Sequence, residues 1–419
     1  MKQVLWEPSN YHYNDSNIAK YISFVNKTYD QSFKDYDTLY DWSISNIEDF
    51  WESVTIFSEI KFSKKYDSIM KSGDSFIDCD WFDGAKLNFA ENLLRYRDDK
   101  VAIEYFCENK IKGSITYSQL FKKVKSCALY LKSLEVKEGD VIAGFMPNIP
   151  ETIIAMLACS SIGATWSSCS PDFGINGVLD RFTQINPKIL FVSDGYFYKG
   201  KKIKLSSKVN SIKSKLTSIK ETICVSLINS NDIEGCIHWD EMDSDIKSFK
   251  FKQLPFSHPL YIMYSSGTTG KPKSIVHSAG GTLLQHLKEL VIHTDLKRED
   301  KIFYFTTCGW MMWNWLISSL ASKASIVLFD GFPMYKRNDL LIKIADKEKI
   351  TLFGVSAKYI DSLRKINFSS NKYKLNHLKT ICSTGSPLSE DNFEYIYSKI
   401  KKNIHLASIS GGTDIVSCF

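Results

Sequence analysis

From about residue 100 to the end of the chain, short apolar runs without polar alternation recur at 141–145, 189–192, 223–228, 261–264, 302–305, 326–329, 351–355 and 378–382. A strand that is apolar at every position must bury both faces. Helical patterns between such strands make parallel pairing the natural solution. One of these helices follows Thr116, with Leu120, Val124, Cys127, Ala128 and Leu131 on a single face. The fold class predicted for residues 99–419 is therefore α/β, layered sheets with flanking helices, in two sheet layers divided near Pro255 and Pro259. A membrane array is excluded. The longest apolar run, 149–163, is interrupted by Glu151, Thr152, Ser160 and Ser161 and falls short of the roughly 20 residues a span needs. At about 150 residues per domain, 419 residues imply two or three units, and 44% hydrophobic with 24% charged residues excludes a disordered chain or a fibre.

Residues 1–98 have a different texture, helical and aromatic, and are predicted to form a mostly helical N-terminal extension. Ile18, Tyr21, Ile22 and Val25 mark one amphipathic helix; Ser45 and Glu48 have the spacing of a capping box ahead of Ile47, Phe50, Trp51 and Val54. The N-terminus has no apolar core of a secretory leader, and ten scattered cysteines contain no Cys-x-x-Cys. Reduced thiols in a cytoplasmic enzyme is the expectation, with neither a zinc knuckle nor a disulfide framework. The net charge of +6, from 53 basic against 47 acidic residues, is spread along the chain and calls for neither a nucleic-acid nor a membrane partner. One lysine cluster stands out between Lys199 and Lys220. It reads as a solvated helix face with Ile203, Val209, Ile212, Leu216 and Ile219 turned inward, and alternatively as a docking site for an anionic ligand.

The sharpest local signal is Tyr264-Ser265-Ser266-Gly267-Thr268-Thr269-Gly270-Lys271-Pro272-Lys273, directly after the apolar run 261–264. Two glycines let backbone N–H groups approach an anion, four hydroxyls add donors, and two lysines add charge. Such a loop suits the β- and γ-phosphates of a nucleotide. It is no Walker A loop, because only Thr268 and Thr269 separate Gly267 from Gly270, and Pro272 keeps Lys271 out of a helix.

Ser-Ser-Gly-Thr-Thr-Gly-x-Pro-Lys resembles the signature loop of the acyl-adenylate-forming enzymes, which include acyl-CoA synthetases, adenylation domains and luciferases. Trp81-Phe82-x-Gly84 with Leu87-Asn88-Phe89-Ala90-Glu91-Asn92 is similar to the extension of their acetyl-CoA-synthetase-like members. Gly309-Trp310-Met311-Met312-Trp313-Asn314-Trp315, Gly385-Ser386-Pro387 and Ser410-Gly411-Gly412-Thr413-Asp414 resemble the branch that activates acetoacetate. The blocks occur in the expected order along essentially the whole chain.

This resemblance implies an extension at 1–98 and an adenylation domain at 99–419. It implies that ATP and CoA are substrates, Mg²⁺ the cofactor, and acetoacetate the acid, another short acid such as butyrate or a non-catalytic adenylate-binding remnant being the alternatives. Ser266, Thr268, Thr269, Gly270 and Lys273 would form the loop over the phosphates, with Lys273 catalytic. Gly385, Ser386 and Pro387 would pass beside the adenine. Gly412 and Thr413 would meet the α-phosphate, Thr413 as a catalytic group. Asp414, where most of the family has Glu, would help hold the metal. Acetate-activating relatives carry tryptophan where this chain has Gly411, so a longer acid is expected to fit between Gly411 and the walls Trp310, Met311 and Met312, with Trp313 and Trp315 in the core. Lys201 would touch the nucleotide end of CoA. The family fold continues past the Thr413 block with a lysine-bearing C-terminal domain, so the chain is expected to be an N-terminal piece that is inactive alone.

Overall fold

The computed structural model describes residues 4–108, 110–230, 232–242, 248–265 and 270–419. Their apolar runs form two seven-stranded sheets. Across the first, the order is Ile237–His238, Glu221–Val225, Ile189–Ser193, Val141–Phe145, Thr165–Cys169, Pro259–Ser265 and Lys273–Ser278. Across the second it is His405–Ser408, Thr380–Thr384, Leu352–Ser356, Lys301–Tyr304, Ser325–Asp330, Val101–Cys107 and Ile111–Thr116. In each sheet every neighbouring pair is parallel except the last, an antiparallel hairpin that closes one edge. Ile189–Ser193 and Ser325–Asp330 are buried at every position, as strands covered on both faces must be.

The division expected near Pro255 and Pro259 fails for four of the fourteen strands: Pro259–Ser265 and Lys273–Ser278 lie beyond it yet complete the first sheet, and two more depart the other way. Val101–Cys107 and Ile111–Thr116 precede that point yet belong to the second sheet. The apolar run 149–163 forms the helix Pro150–Ile162, buried at every position but Glu151. Proline opens it, where a missing N–H costs nothing, and Gly163 at φ +85° ends it. The helix after Thr116 forms as predicted over Tyr117–Ser133, with Thr116 and Gln119 making a reciprocal cap. Among the described residues no helix is long and apolar enough to cross a membrane.

In the extension, Asn17–Thr28, Tyr36–Ser45 and Ile47–Phe57 are helical and gather an aromatic cluster around Tyr21, Trp42 and Phe82. The capping box expected at Ser45 and Glu48 does not form. Ser45 is still the last residue of one helix, and Asn46 alone separates it from the next. Asn88 anchors the extension to the body: its Oδ1 accepts from the Glu91 amide at 3.0 Å, and its Nδ2 donates to the carbonyls of Ser160 at 2.9 Å and Lys252 at 2.8 Å.

Candidate functional site

Parallel strands bring their carboxyl ends to one edge, where α/β sheets bind ligands. In the second sheet that edge carries Tyr304, Asp330, Ser356, Thr384 and Ser408, with Ser356 opposite Thr384 and Ser383 opposite Ser408. The corresponding edge of the first sheet meets it. Ser168 Oγ donates to the Cys308 carbonyl at 2.7 Å, and Cys308 Sγ lies 2.9 Å from the Met146 carbonyl. Asn148 closes the seam: its backbone N–H donates to Asp330 Oδ1 at 2.9 Å, its Nδ2 to the Thr306 carbonyl at 3.2 Å, and its Oδ1 accepts from the Trp313 indole at 3.0 Å. Burial pushes the Asp330 carboxyl up to about 6, against the pull of the Asn148 amide.

The phosphate loop joins Pro259–Ser265 to Lys273–Ser278, and the two strands pair at its base through Ser265 and Lys273. It is therefore the tip of a β-hairpin, with the helix Ala279–Leu287 starting only after the second strand. Ser266, Thr268 and Thr269 lie outside the described residues. Gly270 and Lys273 are exposed; Gly270 sits at φ +94° with nothing within 4 Å of where a Cβ would be.

Gly385, Ser386 and Pro387 leave the end of Thr380–Thr384 as an exposed lip, with Gly385 at φ +87°. Beside that strand, His405–Ser408 leads into a small hairpin in which Gly411 pairs with Cys418 and Gly412 with Ser417. Thr413 stands at its turn. The Thr413 carbonyl accepts from His277 Nε2 at 2.7 Å. Burial lowers the His277 pKa, opposed by that hydrogen bond and by Asp414, so the ring is neutral at pH 7 and donates from Nε2. Nine residues further on, in the helix Ala279–Leu287, His286 Nε2 reaches the Val416 carbonyl at 2.7 Å and its Nδ1 the Ser318 hydroxyl at 2.8 Å. Glu289 accepts from the Trp315 indole at 2.8 Å, Gln285 Nε2 at 2.8 Å, the Cys418 amide at 3.3 Å and the Ser417 hydroxyl. The structure thus brings Thr413 and Gly412 to the strand that carries Lys273. His277, His286 and Glu289 were missed by the sequence reading. Their signal was His277, His286 and Glu289 standing in the mostly apolar stretch 275–292 that follows the loop, beside Gln285 and Lys288.

Of the residues expected around the acid, only Gly411 departs from the expectation. Trp310 caps the helix Met311–Ser318 and is 64% exposed, whereas Met311 and Met312 are buried. The backbone of Gly411 is exposed, but its side-chain direction is closed. A Cβ there would collide with the Ser417 carbonyl and lie 2.6 Å from the Cys418 Cα, because the paired strand occupies that space. Trp313 and Trp315 are buried, as expected. A cavity of about 10 Å³, room for one water, lies beside Gly309 and Asn314 between Trp166 and Met263.

The lysine segment is also corrected. Its first part is a hairpin of Gly195–Tyr198 and Lys201–Lys204, and only Ser206–Lys215 is helical, burying Val209 and Ile212. Lys201 is exposed on this hairpin, whose turn is tied to the second sheet by Glu108, a buried carboxylate accepting from the amides of Lys199 at 2.6 Å, Gly200 at 2.8 Å and Phe332 at 3.0 Å. Asp414 is exposed at the turn after Thr413 and has no cluster of further ligand side chains among the described residues. One free carboxylate fits a cation that keeps most of its waters and takes its other ligands from phosphates. A cleft of about 570 Å³ lies between the extension and the helix Ala279–Leu287; Trp81 and Phe82 line it, but none of the residues expected to bind nucleotide, acid, metal or CoA does.

The comparisons with known proteins agree with this arrangement. The profile of the AMP-binding enzyme family matches residues 89–409, and that of the acetyl-coenzyme A synthetase N-terminus matches 36–93. The chain is 44% identical to acetoacetyl-coenzyme A synthetase of Rhizobium meliloti (strain 1021) and 41% identical to acetoacetyl-CoA synthetase of Gallus gallus, in each case over 100% of its own length and over 65% and 64% of theirs. It superposes on the structure of acetoacetyl-CoA synthetase from Streptomyces lividans with a TM-score of 0.95 at 36% identity, covering 100% of this chain and 66% of that one. The chain therefore spans just under two thirds of the length of these relatives. With the phosphate hairpin, the lip at Gly385 and the Thr413 turn gathered at the joined edges of two parallel sheets, this chain belongs to the AMP-binding enzyme family.

Proposed function

We propose that this chain carries the adenylating part of an AMP-forming acetoacetate–CoA ligase, with an extension at 1–98 and an adenylation domain at 99–419. In the first step the acetoacetate carboxylate attacks the α-phosphorus of ATP, giving acetoacetyl-AMP and pyrophosphate. In the second the CoA thiol attacks the acyl carbonyl, loses its proton, and expels AMP. The observation that carries this reading is the Thr413 turn held 2.7 Å from His277 on the strand leaving the phosphate loop. That hydrogen bond supports a reading in which Thr413 contacts the α-phosphate beside the loop that takes the β- and γ-phosphates. The names of the relatives, acetoacetyl-CoA synthetases all, support the acid.

Both reactants of the first step are anions, so charge neutralisation and in-line placement are the main tasks. Lys273 and the Gly270 backbone, with Ser266, Thr268 and Thr269, hold the β- and γ-phosphates. The Thr413 hydroxyl donates to the α-phosphate beside Gly412. Gly385, Ser386 and Pro387 lie along the adenine, Met311 lines the acid side, and Lys201 meets a CoA phosphate. Asp414 would take one position on Mg²⁺, which supplies further neutralisation of the phosphates when bound. ATP–pyrophosphate exchange by the full-length protein, with acetoacetate, butyrate and acetate in parallel, tests the reading. Exchange is expected to be fastest with acetoacetate; a preference for acetate would overturn the acid assignment.

A further inference from the structure

On that reading the Thr413 hydroxyl has to be aimed at the α-phosphate, and the backbone carrying it has to be fixed. Its own hairpin is short: two ladder pairs, the mutual backbone bonds of Ser410 and Phe419 at 2.7 and 2.6 Å, and the Val416 amide on the Thr413 carbonyl at 3.3 Å. The remaining support comes from residues some 130 positions earlier: His277 on the Thr413 carbonyl, His286 on the Val416 carbonyl, and Glu289 under Ser417 and Cys418. His277 and Lys273 share the strand Lys273–Ser278 and, four residues apart, point to the same face of it. The helix that follows runs into a π-helical turn, Lys288–His293, which carries Glu289. Such turns are over-represented at functional sites.

We propose that His277 is a positioning residue for adenylation: by donating from Nε2 to the Thr413 carbonyl, it locks the α-phosphate contact to the strand of the β,γ-phosphate loop, with His286 and Glu289 fixing the rest of the turn. One strand then sets both halves of the triphosphate site. This inference rests on the adenylation reading for its consequence and on the hydrogen bonds alone for its geometry.

The test uses His277→Ala and His277→Gln in the full-length protein. The Gln side chain places an N–H donor near the reach of Nε2, so it separates the hydrogen bond from the volume of the ring. In His277→Ala, amide hydrogen exchange at residues 413–418 should accelerate about tenfold, and kcat for acetoacetate-dependent pyrophosphate exchange should fall by a similar factor with the ATP KM within about twofold. His277→Gln should restore most of both. Unchanged amide exchange in His277→Ala, a normal kcat, or a Gln variant as impaired as Ala would overturn the proposal. A wild type that exchanges no pyrophosphate with any short acid would instead defeat the adenylation reading, and amide exchange would still decide the positioning.

Discussion

Two hairpins meet at the site, and they are built on opposite plans. The first, Pro259–Ser265 with Lys273–Ser278, has a long register of its own, and its tip is exposed and open around Gly270. The second, 411–418, has two ladder pairs, a blocked side-chain direction at Gly411, and is held by buried polar side chains from the strand Lys273–Ser278 and the helix that follows it. The first carries its chemistry in its own letters. The second takes its shape from elsewhere. Damage to the supporting helix should therefore read out as lost stability and lost alignment together, whereas damage to the phosphate tip should read out in ATP use alone.

The largest effect should follow Glu289→Ala. It removes a buried acceptor and leaves the Trp315 indole, the Cys418 amide and the Ser417 hydroxyl without their partner. Several buried donors orphaned at once should cost about 3–5 kcal/mol, measured by urea denaturation of the full-length protein. A loss under about 1 kcal/mol would mean that the second hairpin does not depend on this helix.

Next comes an acid effect. Burial holds His286 down to about 4, whereas the unfolded chain titrates near 6.5. The unfolded state therefore takes up a proton first as pH falls. The stability contributed by neutral His286 is complete above about 6.5 and is lost as pH falls through about 4, by about 3 kcal/mol at most. Asp330, raised to about 6, works in the opposite direction, so the measurement is a difference. Stability of wild type minus His286→Gln should shrink between pH 6.5 and 4; a difference constant with pH would remove His286 from the account.

Gly411→Ala should cost about 1–3 kcal/mol through overpacking, since its Cβ would strike the partner strand's backbone, which cannot step aside. Pyrophosphate exchange should fall for acetoacetate, butyrate and acetate alike. A variant that instead shifts preference among the acids would restore Gly411 as a pocket residue.

The same contrast governs what was legible in the sequence. The parallel strands were readable because a strand buried on both faces is apolar throughout, and Tyr117–Ser133 because its cap lies in adjacent letters. The strand Lys273–Ser278 was not readable, since an edge strand need not be apolar throughout: Lys273 and Val276 are exposed and the buried position is a histidine. The phosphate loop announced itself because glycines, hydroxyls and lysines act where they stand. Gly411 was expected to leave the space of an absent tryptophan, and that space is closed. Its true constraint is a backbone seven residues away, and no local pattern encodes that. The support of Thr413 by His277 is longer-range still, 136 residues apart in sequence.

The smallest effect on stability, and the clearest separation of the two hairpins, should come from Lys273→Ala. Lys273 is exposed at the base of the loop, in register with Ser265. Removing an exposed side chain that supports no buried group should change stability by no more than about 0.5 kcal/mol. The strand's backbone pairing is untouched, so His277 and the Thr413 turn should stay in place. ATP use should suffer nonetheless, because a charge-assisted contact to phosphate is worth on the order of 1.5–3 kcal/mol, about tenfold to a hundredfold in kcat/KM for ATP. The acid KM should move little. Denaturation and pyrophosphate exchange on the same preparation decide the matter. Unchanged exchange would take Lys273 out of the nucleotide site. A large loss of stability would show that the first hairpin, like the second, is held by its side chains, and the difference between the two would disappear.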